Sequence, residues 1–162
     1  MSPIKIGQGY DVHAFTAGEG IVLGGVSIPF NKSLLAHSDG DVLIHALCDA
    51  LLGALGRGDI GRLFADDREE NRNRDSREFL REIKKLLDQD RYRLGNADIT
   101  VVAQAPKLAP HSDAMTVILA EDLHCEVGQI NIKATTTEKL GFIGREQGIA
   151  VHAVVLLVAG ST

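Results

Sequence analysis

Asp11-Val12-His13 and, further on, His37-Ser38-Asp39-Gly40-Asp41 with His45 hold the residue types from which divalent-metal sites are built. Imidazole nitrogens and carboxylate oxygens ligate catalytic zinc, which keeps one coordination position open for a substrate. If residues 10–14 are extended, Asp11 and His13 project to one face, because strand side chains alternate with period two. Asp41, His45 and Asp49 are spaced four apart and share one side of a helix, which puts Asp41 or Asp49 in register to hold the second ring nitrogen of His45. Spacing alone leaves two readings open: a metal centre, or a histidine at a core edge with Asp11 ending a turn.

Downstream, Lys133-Ala134-Thr135-Thr136-Thr137-Glu138-Lys139 closes a strand with three hydroxyls, a carboxylate and two cations. Hydroxyls and free backbone N–H groups suit phosphate oxygens, and Glu138 suits a hard ion such as magnesium; the alternative is an ordinary Thr-rich strand. Ala103-Gln104-Ala105-Pro106-Lys107 reads as a strand leaving its sheet into a Pro turn, a plain loop or a place where freed main-chain groups meet a ligand. Gly58-Asp59-Ile60-Gly61 either ends a helix or lets a ligand approach the backbone closely. His111, His124 and His152 have no partner at informative spacing and read as structural or surface residues.

The elements that must position these residues are legible from periodicity. Residues 3–15 and 20–30 read as a strand and a hairpin turning at Gly24-Gly25. The clearest helix is Asp41 to Leu55, with an apolar face from Val42 to Leu55, a start capped by Ser38, Asp39 or Asp41, and a stop at Gly56 and Gly58. Residues 65–75 are polar throughout and read as a mobile loop. A helix from about Ser76 to Gln89, a strand at 96–104, a helix at 110–123 and strands at 129–136 and 148–158 complete the chain. Without strict β-α-β alternation this is α+β: a mixed sheet with helices packed on one face. The last strand is apolar on both sides, so the other face is expected to meet further subunits.

The 162 residues, 44% hydrophobic and 24% charged, predict a single domain, 1–162. A net charge of −5 argues against nucleic-acid or anionic-membrane partners but not against a small phosphorylated substrate held by a metal and a few cations. Cys48 and Cys125 form no disulfide framework. The longest apolar run, Ile149 to Ala159, is too short to span a bilayer, and no signal-peptide core is visible, so a cytoplasmic location is expected.

Taken in order, these motifs resemble the 2-C-methyl-D-erythritol 2,4-cyclodiphosphate synthase family of the non-mevalonate isoprenoid pathway. The resemblance runs from Ile6-Gly7-Gln8-Gly9-Tyr10-Asp11-Val12-His13-Ala14-Phe15, through Leu34-Leu35-Ala36-His37-Ser38-Asp39-Gly40-Asp41 with His45, Gly58-Asp59-Ile60-Gly61 and Ala103-Gln104-Ala105-Pro106-Lys107, to Ala134-Thr135-Thr136-Thr137-Glu138-Lys139-Leu140-Gly141-Phe142 and the Gly148-Ile149-Ala150 strand. It implies zinc at Asp11, His13 and His45, a second ion (magnesium or manganese) at Glu138, and catalytic parts for His37, Thr136 and Glu138. The implied reaction closes an eight-membered cyclic diphosphate from a diphosphocytidyl substrate and releases CMP. The resemblance further implies a homotrimer with active sites between subunits. One subunit would contribute the metal group, His37, Ser38, Asp59, Ile60, Gly61, Phe64, Asp66, Asp67 and Arg68. Its neighbour would contribute Ala103, Gln104, Ala105, Pro106, Lys107, Leu108, Ala109, Thr135, Thr136, Thr137 and Glu138, with Phe142 and Arg145 also on the substrate or axis side.

Two departures from the family pattern stand out. Phe64-Ala65-Asp66-Asp67-Arg68 replaces a common Phe-Pro-Asp-Thr-Asp, so a cation stands where relatives carry an acid, and Arg72-Asn73-Arg74-Asp75-Ser76 replaces the Lys-Gly-Ala-Asp-Ser that follows it in the flexible loop of relatives. Gly144-Arg145-Glu146-Gln147-Gly148 replaces Gly-Arg-Gly-Glu-Gly near the threefold axis, where some relatives hold isoprenoid diphosphates; Arg145 is kept and the acid is displaced.

Overall fold

The computed structural model describes residues 2–64 and 69–160. Its strands are β1 (Ile4–Ala17), β2 (Gly20–Leu23), β3 (Val26–Pro29), β4 (Lys32–Leu34), β5 (Tyr92–Val102), β6 (Ile130–Thr135) and β7 (Gly148–Ala159). Its helices are α1 (Val42–Leu55), α2 (Ile60–Leu63), α3 (Ser76–Gln89), α4 (Ser112–Leu123) and α5 (Gly141–Gly144). Five strands form a sheet in the order β4-β1-β7-β5-β6, mixed because β5 and β6 run parallel and the other pairs antiparallel. β2 and β3 make a separate hairpin, with residues 24 and 25 at its turn.

What places the site is the contact between β1 and α1. The odd-numbered residues of β1 face the helix, and two of them are glycines. A Cβ on Gly7 would lie 1.9 Å from the Ala50 carbonyl oxygen, and one on Gly9 1.9 Å from that of Ala46. The strand backbone therefore rests against a stripe of small residues, Ala46, Ala50 and Ala54, which lie one turn apart on α1. Leucines flank this stripe on α1 and are driven inward with it. Leu43, Leu47 and Leu51 are fully buried, and removal from water stabilises each by about 2 kcal/mol. Asp41 is the N-cap, accepting the Ile44 N–H, and Gly56 ends the helix in the left-handed conformation.

α1 packs on β1 and β7, α3 on α1 and β5, and α4 on α3 and β6. Between α3 and α4 the buried Asp122 receives the Arg77 guanidinium at 2.7 Å and that of Arg81 at 2.9 Å. β7 shows the alternation of a strand with one covered face: Ile149, Val151, Ala153, Val155 and Leu157 are buried toward the helices. On the other face Ile4, Ile6, Tyr10, Val12 and Val154 are exposed, Ile6 by 70%. The expected α+β architecture, with its mixed sheet and its helices on one side, is the observed one.

Several local expectations need correction. β4, α2 and α5 were not foreseen, because segments of three or four residues carry too little periodicity to register. β5 begins at Tyr92 rather than 96, since Tyr92 and Leu94 bury their side chains on the same face as Ala97, Ile99 and Val101; a register shift between Leu94 and Asn96 absorbs Gly95. Residues 109–111 form a 3-10 turn ahead of α4. Of the supposed mobile loop, residues 65–68 lie outside the described residues, and residues 69–75 are folded onto the protein. Glu69–Asn71 is a 3-10 turn with Asn71 buried, and Arg74 lies over the Phe79 ring while pairing with Glu78 and Glu82. A guanidinium packs flat on an aromatic ring while its charge is answered at its edge, so a polar segment can be well packed without an apolar residue.

Candidate active site

Asp11 and His13 leave β1 on the α1 side, and His45 lies in the first turn of α1. Asp11 Oδ2 stands 2.9 Å from His13 Nε2 and 3.3 Å from His45 Nδ1. The two rings meet edge-on with centroids 5.1 Å apart, and one ligand atom from each residue lies within 4.8 Å of the others. Two imidazole nitrogens and one carboxylate oxygen converging on a point are the donor set that zinc takes. The electrostatics agree. Burial opposes charge on Asp11, yet hydrogen bonds and charge from His13 and His45 win and hold its carboxyl down at about 2. Burial likewise disfavours the charged form of His13, but Asp11 outweighs it and raises the imidazole above its ordinary value. The carboxylate thus draws positive charge into this spot, and a cation could take the place of the protons.

The outer ring nitrogens are held as well. His13 Nδ1 is 2.9 Å from the Gly40 carbonyl oxygen, so Nδ1–H donates there and Nε2–H donates to Asp11, the proton whose place a cation would take. His45 Nε2 lies 2.9 Å from Ser76 Oγ and 3.2 Å from Ser38 Oγ. The expectation that Asp41 or Asp49 holds this nitrogen is overturned. Asp41 precedes the helix with non-helical dihedrals, and its buried oxygens accept N–H groups of Gly24, Gly25 and Ile44. Burial pushes its carboxyl up to about 6 despite those three bonds. Asp49 accepts the Ile60 N–H at 2.7 Å and so fixes the start of α2; burial raises its carboxyl too. Both acids went to unsatisfied backbone donors at helix starts, a demand that four-residue spacing does not reveal.

Beside the three ligands opens a cavity of about 290 Å³. Its walls include Leu35, Ala36, His37 and Ser38 from the segment before α1, and Ile60, Gly61 and Phe64 around α2; Asp49, Asn71 and Phe79 complete it. Asp59 caps α2 next to this cavity by accepting the Arg62 N–H at 2.8 Å. Asp66, Asp67 and Arg68 lie outside the described residues.

The remaining sequence candidates gather elsewhere. β5 and β6 are parallel neighbours, so the segments after Val102 and Thr135 emerge at the same end of the sheet. They are stitched together by Ala103 N–H to Thr135 O at 2.9 Å and Lys139 N–H to Gln104 Oε1 at 3.1 Å. Thr136 Oγ1 accepts the Glu138 N–H at 3.1 Å, and Glu138 and Lys139 both adopt positive φ, 52° and 64°. Lys107, Ala109, Thr135, Thr136 and Glu138 are exposed, Gln104, Ala105, Pro106 and Thr137 half-buried, and Ala103 and Leu108 buried. Phe142 lies exposed in α5, and Arg145 follows at its end. Among the described residues, no hydrogen bond or ion pair joins this group to Asp11, His13 or His45, and Glu138 stands outside their cluster.

Sequence reasoning missed Ser76, Asn71, Phe79 and the positioning work of Asp49. Asp75-Ser76 ahead of Phe79, Leu80 and Ile83 is a visible helix start, but nothing in it shows that Ser76 reaches a histidine 31 residues away.

Fold and site together define a mixed-sheet α+β protein with a candidate divalent-metal centre at the side of a polar cavity. The chain belongs to the YgbB family, which matches residues 4–158. It is 60% identical over 157 residues to the 2-C-methyl-D-erythritol 2,4-cyclodiphosphate synthase of Thioalkalivibrio sulfidiphilus, covering 97% of this chain and 98% of that one. It is 60% identical over 156 residues to the synthase of the same name from Azotobacter vinelandii, covering 96% and 99%. Among solved structures it resembles IspF of Plasmodium falciparum in complex with CDP, with a TM-score of 0.88 and 38% identity over 99% of each chain.

Proposed function

We propose that this chain, acting as one domain, catalyses the ring closure for which its relatives are named. The substrate is 4-diphosphocytidyl-2-C-methyl-D-erythritol 2-phosphate, and the products are 2-C-methyl-D-erythritol 2,4-cyclodiphosphate and CMP. One observation carries the reading: the Asp11, His13 and His45 ligand atoms converge beside a cavity, in a chain 60% identical to such synthases over nearly its whole length.

An oxygen of the 2-phosphate forms a bond to the β-phosphorus, and the bond from that phosphorus to the bridging oxygen breaks, its electron pair leaving with CMP. The attacking phosphate is already charged, so no strong general base is needed; the barrier is alignment and repulsion among phosphoryl groups. Asp11, His13 and His45 would hold zinc, which would supply Lewis acidity and a template. His37 and Ser38 line the cavity where the erythritol phosphate would lie and offer hydrogen bonds to it. Ile60, Gly61 and Phe64 line the same cavity, and Asp59, Asp66, Asp67 and Arg68 are assigned to it.

The cytidine end is assigned to residues 103–109 and 135–138, with Lys107 and the threonine hydroxyls on phosphate oxygens, Thr136 beside the reacting phosphate, and Glu138 holding magnesium or manganese. That group lies apart from the metal ligands within one chain, which favours a cavity completed by a neighbouring subunit. The exposed Ile4, Ile6, Tyr10, Val12 and Val154 supply an apolar sheet face for a homotrimer, with Phe142 and Arg145 toward its axis and an isoprenoid diphosphate as the axial ligand.

The test is to incubate the protein with the diphosphocytidyl substrate, zinc and magnesium, and to follow phosphorus NMR before and after chelation. Two coupled signals of the cyclic diphosphate together with CMP, lost on chelation, are expected. Free phosphate in place of the cyclic product would mean that water is the nucleophile and would overturn the reading.

A further inference from the structure

His45 is a useful metal ligand only if Nδ1, the nitrogen facing Asp11, carries the lone pair and Nε2 carries the hydrogen. Nothing on α1 decides this. The decision is made across the fold, at the start of α3. Ser76 is fully buried there, and its Oγ lies 2.9 Å from His45 Nε2. The same hydroxyl bonds to Asp39 Oδ1, while the Ser76 N–H donates to Asp39 Oδ2 at 3.0 Å and the Asp41 N–H to Asp39 Oδ1 at 3.1 Å.

The direction of the chain follows by counting hydrogens. Both Asp39 oxygens face donors, so the carboxylate is the acceptor throughout. A serine hydroxyl has one hydrogen, and here it points to Asp39. Toward His45 the Ser76 oxygen therefore presents a lone pair, and Nε2–H must donate to it. Ser38 Oγ, 3.2 Å from the same nitrogen, is a longer second partner and itself receives the Gly40 N–H at 3.4 Å.

We infer that Ser76, oriented by Asp39, is a positioning residue that fixes the His45 tautomer and so prepares Nδ1 for the metal; the inference rests on the metal-centre reading above. The arrangement reaches further than one ring. The Asp39 N–H donates to the Arg74 carbonyl at 3.2 Å and the Asn73 N–H to the His37 carbonyl at 2.6 Å. The segment bearing the cavity residues His37 and Ser38 is thereby tied to the chain entering α3, and the metal ligand is set by the same contact. Outer partners of metal-bound histidines commonly matter 10–100-fold in affinity.

The experiment measures zinc affinity by competition with a chromophoric chelator for wild type, Ser76→Ala and Asp39→Asn, alongside the melting temperature of each metal-free protein. It also records nitrogen-15 NMR of the His45 imidazole in the zinc-loaded state. Expected are a 10–100-fold weaker zinc affinity in both variants and a slowly exchanging His45 Nε2–H in wild type that exchanges faster in Ser76→Ala. Folded variants that bind zinc within about twofold of wild type would reduce the Ser76–Asp39 pair to a structural contact and overturn the inference. So would an Nε2-bound, Nδ1-protonated His45 in wild type. Failure of wild type itself to bind zinc would instead remove the metal centre. If Ser76→Ala does not fold, Asp39→Asn and the wild-type NMR spectrum decide alone.

Discussion

Replacing Gly9 by alanine tests whether strand-to-helix distance governs the metal centre. The added Cβ would sit 1.9 Å from the Ala46 carbonyl oxygen and 2.8 Å from the Ala50 N, both backbone atoms that cannot rotate away. Ordinary contact begins near 3.4 Å, so strand and helix must separate by about 1.5 Å or tilt to the same effect. Gly9 lies two residues from Asp11, and Ala46 adjoins His45; the displacement therefore falls directly between metal ligands. Ligand distances in a metal site tolerate only about 0.2 Å. Even a third of the shift, about 0.5 Å, would exceed that tolerance. The expected outcome is at least a hundredfold loss of zinc affinity, about 3 kcal/mol, with a further 1–3 kcal/mol of overpacking seen as a lower melting temperature in metal-free protein. Chelator competition and thermal melts measure the two separately. Gly53→Ala is the control, because its Cβ would meet nothing nearer than the Gln8 carbonyl at 3.9 Å. Gly9→Ala with wild-type zinc affinity and an unchanged melt would refute the reasoning.

Three other outcomes are expected. In metal-free protein the Asp11 contribution to stability is complete above pH 3.8 and disappears as pH falls toward 2, because its folded pKa is depressed; that of His13 is complete below 6.5 and disappears as pH rises through its raised value. Zinc needs the neutral imidazole, so the zinc-induced rise in melting temperature should grow between about pH 6 and about pH 8, and a flat profile would count against His13 as a ligand. Lys107→Ala should weaken CMP binding by calorimetry while leaving zinc affinity unchanged; equal CMP affinity would remove Lys107 from the cytidine site. Asp122→Ala leaves the Arg77 and Arg81 guanidiniums without their shared buried acceptor. Denaturant unfolding should show a loss of about 2 kcal/mol, less than for a fully buried pair because Arg81 is half exposed; no change would mean the cluster is stability-neutral.

What was legible in the sequence was whatever repeats at short range. α1 and α3 show their apolar spacing, and both were placed to within a residue; Asp11 and His13 were placed on one strand face by alternation alone. The pairing of that strand with His45 was open on spacing and became specific only through resemblance to known synthases. Contacts between distant segments left no periodic trace: the burial of Asn71, the diversion of Asp49 to Ile60, and Ser76 behind His45. Asp41 misled because a capping residue just outside the helix occupies the same sequence register as one on its face while pointing elsewhere.

The antiparallel ladder from Ile4↔Val158 to Ala14↔Gly148 joins the two most distant stretches of the chain at the middle of its sheet. During synthesis, Asp11 and His13 therefore emerge early and wait. Their strand has only the short β4 beside it, pairing at Phe15 to Ala17, until residues 148–159 arrive to set its register opposite Val151 and Ile149. Contacts of such sequence separation are slow to close. A nascent or truncated chain lacking β7 should therefore retain α1 yet bind zinc poorly, because the strand that carries Asp11 and His13 lacks the partner that sets its register.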